Sequence, residues 1–182
     1  MSKSDWQSCY RQMHEALESV FHAHLLALAS YRFAEAAQLF CVYHKQLNLH
    51  IELEDTLVIP VFKRAEPLKY WPASTFLAEH QKIQKLASSY ESKLHHQPGL
   101  DLRDHLLALL EEARRLQHLI EHHHLREDRA LFPVTAQFVH PREASHLLGE
   151  SEAKWDSLQR EHGSLIADMK ATVERHWQRL LT

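Results

Sequence analysis

Apolar residues recur every three to four positions along most of this chain, and that rhythm divides it into five helical stretches. The first runs from about Asp5 to Ala29 and carries the stripe Tyr10, His14, Leu17, Phe21, His24 and Leu28. A break near residues 30–32 precedes the second, whose stripe is Phe40, Tyr43, Leu47, His50, Glu54, Leu57 and Val61. Pro67 and Pro72 mark a connection, and Ser74 is the expected N-cap of a third helix bearing Phe76, His80, Ile83, Ala87, Tyr90 and Leu94. Pro98-Gly99 is a turn signal. The fourth stretch starts near Asp101, with Leu106, Leu109, Ala113, Leu116, Ile120, His123, Glu127 and Leu131 on one face.

After Pro141 the periodicity predicts a fifth helix, broken at Gly149, with Trp155, Leu158, His162, Leu165, Met169, Val173, His176 and Leu180 in its stripe. No segment alternates like a strand. Hairpins joined by short turns predict an all-α fold, an up-down-up-down antiparallel four-helix bundle over about residues 5–137. The additional C-terminal helix, about 141–180, packs outside it within one domain spanning 1–182.

The stripes are not purely apolar, and their polar members repeat. His50-Ile-Glu-Leu-Glu54-Asp-Thr-Leu-Val-Ile-Pro60 and His123-His-Leu-Arg-Glu127-Asp-Arg-Ala-Leu-Phe-Pro133 are two copies of one pattern. Each has a His, a Glu four residues later, then Asp, and a Pro six residues past the Glu. Residues four apart share a helix face, so each His–Glu pair can reach one ion. Each copy is preceded by another striped His, His14 or His80. Four imidazoles and two carboxylates from four helices form a ligand set for a pair of transition metals.

Helical rise selects among the three histidines of the first helix. His50 lies roughly 27 Å beyond the first turn and His14 roughly 24 Å before it, so the two are nearly level, whereas His22 and His24 fall about 15 Å short. In the second hairpin His80 and His123 lie roughly 27 and 36 Å from the turn, a looser match. Consecutive helical positions point about 100° apart, so within His122-His123-His124 only one shares a face with a given Glu. The stripe and the Pro favour His123 with Glu127, leaving His122 and His124 solvated or behind the ligands. His24, His162 and His176 read as core side chains rather than ligands.

Imidazole suits iron, zinc, copper or nickel, while carboxylates favour harder ions and can bridge two of them. The mixture points to iron first, with manganese or zinc behind. With both glutamates bridging, each ion receives two carboxylate oxygens and two imidazoles. An oxo or hydroxo bridge then leaves one open position on each for a small molecule, as in reactive rather than closed metal sites.

Composition narrows the setting. A net charge of −3 argues against nucleic acid or an acidic membrane surface as partner. No apolar run approaches bilayer length and the start MSKSDWQS is not a signal peptide, so the cytoplasm is expected. Cys9 and Cys41 are too few for a disulfide framework and read as buried, inert thiols.

Through His14, His50-x-x-x-Glu54, His80, His123-x-x-x-Glu127 and the Pro60 and Pro133 that end the two motifs, the chain resembles the hemerythrin-like, or HHE cation-binding, family over roughly residues 5–137. The resemblance implies a four-helix bundle around a non-haem di-iron centre. It implies His14, His50, His80 and His123 as terminal ligands and Glu54 and Glu127 as bridging ones. Oxygen-carrying hemerythrins have a second His where this chain has Gln84, and a ligand Asp at the place of Asp128. The four-His, two-Glu set is more similar to the branch associated with repair of iron–sulfur centres and with nitric oxide or iron handling. Members of that branch often carry a short Cys-containing N-terminal domain, which these residues do not include.

Two functions compete. One is a di-iron binding protein that takes up O2 or NO, or holds labile iron, for sensing or delivery. The other is a di-iron enzyme activating O2, peroxide or NO. No Gly-rich nucleotide loop or C-x-x-C accompanies the motifs, so electrons would come from a separate donor, which favours binding. A homodimer is left open. A zinc or metal-free structural bundle ranks third, because bridging carboxylates have no clear structural purpose.

Overall fold

The computed structural model describes residues 5–65, 71–95 and 101–180, and these are helical almost throughout, with no strand among them. Five long helices dominate: α1 (Trp6–Ala29), α2 (Phe33–Leu53), α3 (Ala73–Leu94), α4 (Leu102–Arg126) and α5 (Pro141–Leu180). Their apolar stripes meet in one connected core that includes Tyr10, Leu17, Phe40, Phe62, Phe76 and Phe132. No helix among the described residues is long and apolar enough to cross a membrane.

Packing follows the stripes. α1 lies against α2 and α4, and α3 lies against α2 and α4, so each of these four helices has two neighbours. Between α1 and α2, His24 meets Ala36, Phe21 meets Tyr43 and His14 meets His50, a series that runs in opposite directions along the two helices. Lys93 with Glu112 and His80 with His123 give the same opposed order for α3 and α4. α5 covers the outside of α1 and α2. It is tied there by a buried hydrogen bond of 3.1 Å between the Tyr10 and Ser151 hydroxyls.

The α1–α2 break falls at Ser30–Arg32 as the sequence suggests. Tyr31 adopts φ 58°, its N–H donates to the Leu28 carbonyl and the Arg32 N–H reaches back to Ala27. That is a Schellman stop with a tyrosine in the left-handed place usually given to glycine. Asp5 caps α1 by accepting from Ser8 N–H at 2.7 Å, and Asp101 caps α4 by accepting from Arg103 N–H at 2.9 Å. The connection through Pro67 and the Pro98-Gly99 turn lie outside the described residues.

Four expectations are corrected. Ser74 does not cap α3. The cap is Pro72, extended at ψ 162°, whose carbonyl accepts from Thr75 N–H, and the helix begins at Ala73. Gly149 does not break the last helix, which runs unbroken for 40 residues, because one Gly costs only about 1 kcal/mol against Ala in a helix interior. Its buried face is Leu147, Ser151, Trp155, His162, Ile166, Met169 and Val173, so Ile166 rather than Leu165 turns inward. The Leu180 side chain lies outside the described residues. Cys9 is buried as expected, but Cys41 is only half-buried.

The two motif prolines lie within helical segments. Pro60 and Pro133 do not end their helices. Each chain segment passes through a π-turn, Glu54–Val58 or Glu127–Leu131, and resumes as α-helix over Ile59–Phe62 or Phe132–Phe138. A helical Pro has no N–H for the carbonyl four residues back and its ring crowds that carbonyl. The wider turn resolves both problems, and its closing bonds run five residues back, from Ile59 N–H to Glu54 and from Phe132 N–H to Glu127. Both π-turns therefore start at the two glutamates of the repeated motif, as π-bulges at functional positions often do.

Candidate metal centre

All six residues singled out by the motifs converge between α1, α2, α3 and α4. His14, His50, Glu54, His80, His123 and Glu127 are buried, none more than 5% exposed, although Glu and His are seldom buried without a partner. His14 and His50 bring their Nε2 atoms to 3.1 Å from each other. On the opposite side, His123 Nε2 is 2.7 Å from Glu127 Oε1 and His80 Nε2 is 3.2 Å from Glu54 Oε2.

A seventh residue joins them. His124 is 5% exposed and stacks face to face on His14, with ring centroids 3.7 Å apart and planes 4° from parallel. The side chains form two groups able to hold an ion. One is His14, His50, His124 and Glu127, the other Glu54, His80, His123 and Glu127, with donor atoms in each group within 4.8 Å of one another. His124 is thus not solvated, and one group contains three imidazoles and the other two. His122 is exposed and packs edge-on against His118.

The two glutamates link the groups. Glu127 turns Oε1 toward His123 and His80 (2.7 and 3.5 Å) and Oε2 toward His14 (3.4 Å). Glu54 turns Oε2 toward His80 (3.2 Å) and Oε1 toward His50 (3.5 Å). These spacings suit ligands around a common ion. Two imidazole nitrogens each about 2.1 Å from one metal, near a right angle, lie roughly 3 Å apart.

The neighbouring carboxylates treat the groups differently. His80 Nδ1 donates to Asp55 Oδ1 at 2.6 Å, and His123 Nδ1 donates to Glu79 Oε2 at 2.9 Å. Arg126 in turn donates to Glu79 at 3.2 Å. Such contacts fix the tautomer and aim Nε2 inward, the arrangement common behind metal-bound imidazoles. His50 Nδ1 and both His124 nitrogens have no such partner. Asp128, the other acid beside a motif Glu, pairs with Arg11 at 3.1 Å on the surface.

Protonation follows. Burial, reinforced by neighbouring His14, holds His50 and His124 well below the usual histidine range, so both are neutral. Burial works against His80 as well, but its hydrogen bond to Asp55 and the carboxylates of Glu127 and Glu54 outweigh it and push the ring up to about 12. For His123 burial is likewise overcome, by the charge and contact of Glu127 and by Glu79, raising it to about 9. Burial and the adjacent Glu127 raise Glu54 to about 7, while Glu127, despite its burial, is kept ionised by His123. His50 and His124 are therefore neutral imidazoles, whereas His80 and His123 hold protons where a cation would sit.

Several buried polar atoms remain without hydrogen-bond partners: both Glu54 oxygens, Glu127 Oε2, His123 Nε2 and both His124 nitrogens. Buried polar groups are normally satisfied, and unpartnered atoms on residues of these two donor groups call for an unseen ion or solvent. The donor set fits a pair of transition metals.

Of the other striped histidines, His24 and His162 are buried as expected and His176 is only half-buried. His24 is fully buried, donates from Nδ1 to the Ala36 carbonyl and accepts from the Tyr90 hydroxyl at Nε2, both at 2.8 Å. Burial lowers it to about 4, so it stays neutral. His22 is exposed, His176 is half-buried, and His162, though buried, sits on α5 beside Glu161. Gln84 donates to Asn48 at 3.2 Å instead of facing the centre. Comparisons of the chain with protein-family models, curated proteins and solved structures return no match.

Proposed function

We propose that this chain is a hemerythrin-like di-iron binding protein that takes up O2 or NO, or holds labile iron, for sensing, iron handling or iron-centre repair. In this reading α1 to α4 form an up-down-up-down bundle and two irons occupy the two groups. The observation that carries it is the pair of carboxylates: Glu54 and Glu127 each direct one oxygen to one group and the other oxygen to its neighbour. A hydrogen-bonded His–Glu core has no need of that arrangement, whereas bridging two cations does.

His14, His50 and His124 would hold one ion and His80 and His123 the other, with Glu127 and Glu54 between them. Five imidazoles and two carboxylates favour iron over calcium or magnesium, which prefer all-oxygen sites, and over structural zinc, which closes at four ligands. Asp55 and Glu79 keep His80 and His123 in the tautomer that presents Nε2. Bound iron would supply vacant coordination positions and a reversible oxidation state for a diatomic ligand. The apolar core packed around the centre, including Tyr10, Phe76 and Phe132, excludes bulk water.

The test is metal analysis and an electronic spectrum of protein from iron-replete cells, followed by anaerobic reduction and addition of NO or O2. Two irons per chain and a ligand-dependent spectral change support the reading. Protein without stoichiometric iron, or iron indifferent to both gases, contradicts the iron or the gas half of it respectively.

A further inference from the structure

We propose that the seam between α1 and α4 is the loading route for divalent metal ions, with Glu15, Glu18 and Glu121 as its entry site. The proposal rests on the reading of the centre as a metal site. Two cavities, of about 400 and 270 Å³, open along this seam, and both are lined by Glu18, Glu121 and His124. The smaller one reaches His14 as well, whereas neither touches His80 or His123.

Charge and burial explain why a cation would enter here. Glu15, Glu18 and Glu121 are exposed at the mouth and pair with no Lys or Arg among the described residues. Glu121 only accepts from the Gln117 amide at 2.8 Å. Asp128, across the same mouth, is already neutralised by Arg11. Three uncompensated carboxylates around one opening repel one another and attract a divalent ion, and a recess walled by protein focuses that field. At the inner end stands His124, 95% buried by its 5% exposure, with both ring nitrogens unpartnered. It lines both cavities and belongs to the donor group, so an ion leaving the carboxylates meets an imidazole of the centre next. A neutral gas would gain nothing from the three glutamates, which is why the route is assigned to the metal.

The experiment mixes apoprotein with cobalt(II) in a stopped-flow spectrometer and follows the bimolecular uptake rate at low and high salt. The triple variant E15Q/E18Q/E121Q is expected to load roughly tenfold more slowly at low ionic strength, and the difference should shrink at high salt. Final stoichiometry should equal that of the parent. The single reversal E18K should slow loading as well, and the control triple E150Q/E161Q/E174Q, on exposed positions of α5, should not. An unchanged rate in the seam variant, or equal slowing in the control, overturns the route while leaving the centre intact. A parent protein that takes up no cobalt, with iron analysis also blank, overturns the metal reading itself and the route with it.

Discussion

The two halves of the centre use the same residue types and reach opposite electrostatic states. On one side His80 and His123 each lean on a carboxylate, Asp55 or Glu79, and are held protonated. On the other, His14, His50 and His124 crowd together, and His50 and His124 are kept neutral by burial and mutual repulsion. The neutral half adjoins the α1–α4 cavities and the protonated half does not. A repeated sequence motif has thus become an unequal pair. In the proposed centre His50 and His124 would accept a cation directly, whereas His80 and His123 must release protons first.

The sharpest way to break this comparison is to remove what both halves share. Glu127→Ala takes an oxygen from each group and leaves the charge on His123 without its main counterion. Metal content measured by plasma emission should fall from about two ions per chain to near none, and the apoprotein should unfold at distinctly lower temperature. Retention of both metals would exclude a bridging role.

A change confined to one half should remove one ion. His124→Ala deletes a donor from the His14 group alone, so stoichiometry should drop toward one, while exposed His122→Ala retains two. Equal stoichiometry in the two variants would return His124 to the role of a buried bystander.

Subtler changes sharpen the contrast. Asp55→Asn and Glu79→Gln weaken the contacts behind His80 and His123, and should lower affinity about 10- to 100-fold at that position only. Asp128→Ala, which loses only a surface pair with Arg11, should leave both positions unchanged in competitive chelator titrations. The sequence treats Asp55 and Asp128 alike, so a shared phenotype would contradict the structural distinction.

The smallest effect is a pH dependence. His80 and His123 have folded pKa values of about 12 and about 9, above the ordinary 6.5. Their stabilisation of the apoprotein is fully present below pH 6.5 and is lost as pH rises through about 9 for His123. Melting of the apoprotein by circular dichroism should therefore weaken between pH 6.5 and 9. Metal affinity at this position should rise over the same interval, because fewer protons remain to displace.

Most of the helical framework was legible because amphipathic periodicity is a local property. Every residue named from the sequence in the first, third and fourth stripes is buried, including His14, His80 and Glu127. What escaped depends on context that one helix does not contain. A missing N–H ends an ordinary α-helix, yet a π-turn accommodates Pro60 and Pro133. Gly149 read as a break because its cost was weighed without the packing of a 40-residue helix on α1 and α2.

His124 was missed for an instructive reason. One ion can be reached from one helix face, and that reasoning chose His123 over its neighbour. Two ions set side by side subtend a wider arc, so residues about 100° apart can each face a different one. A signal was present: Ile120 lies in the buried stripe, and His123 and His124 continue it at three and four residues respectively.

The central claim is a centre of two unequal positions joined by Glu54 and Glu127. A crystal structure of the iron-loaded protein, with anomalous scattering recorded on either side of the iron edge, tests it most directly. The account predicts two iron peaks per chain. One should lie about 2.1 Å from imidazole nitrogens of His14, His50 and His124, the other from those of His80 and His123, with a carboxylate oxygen of Glu127 on each. A single peak, or two peaks with His124 outside bonding distance of both, would contradict it.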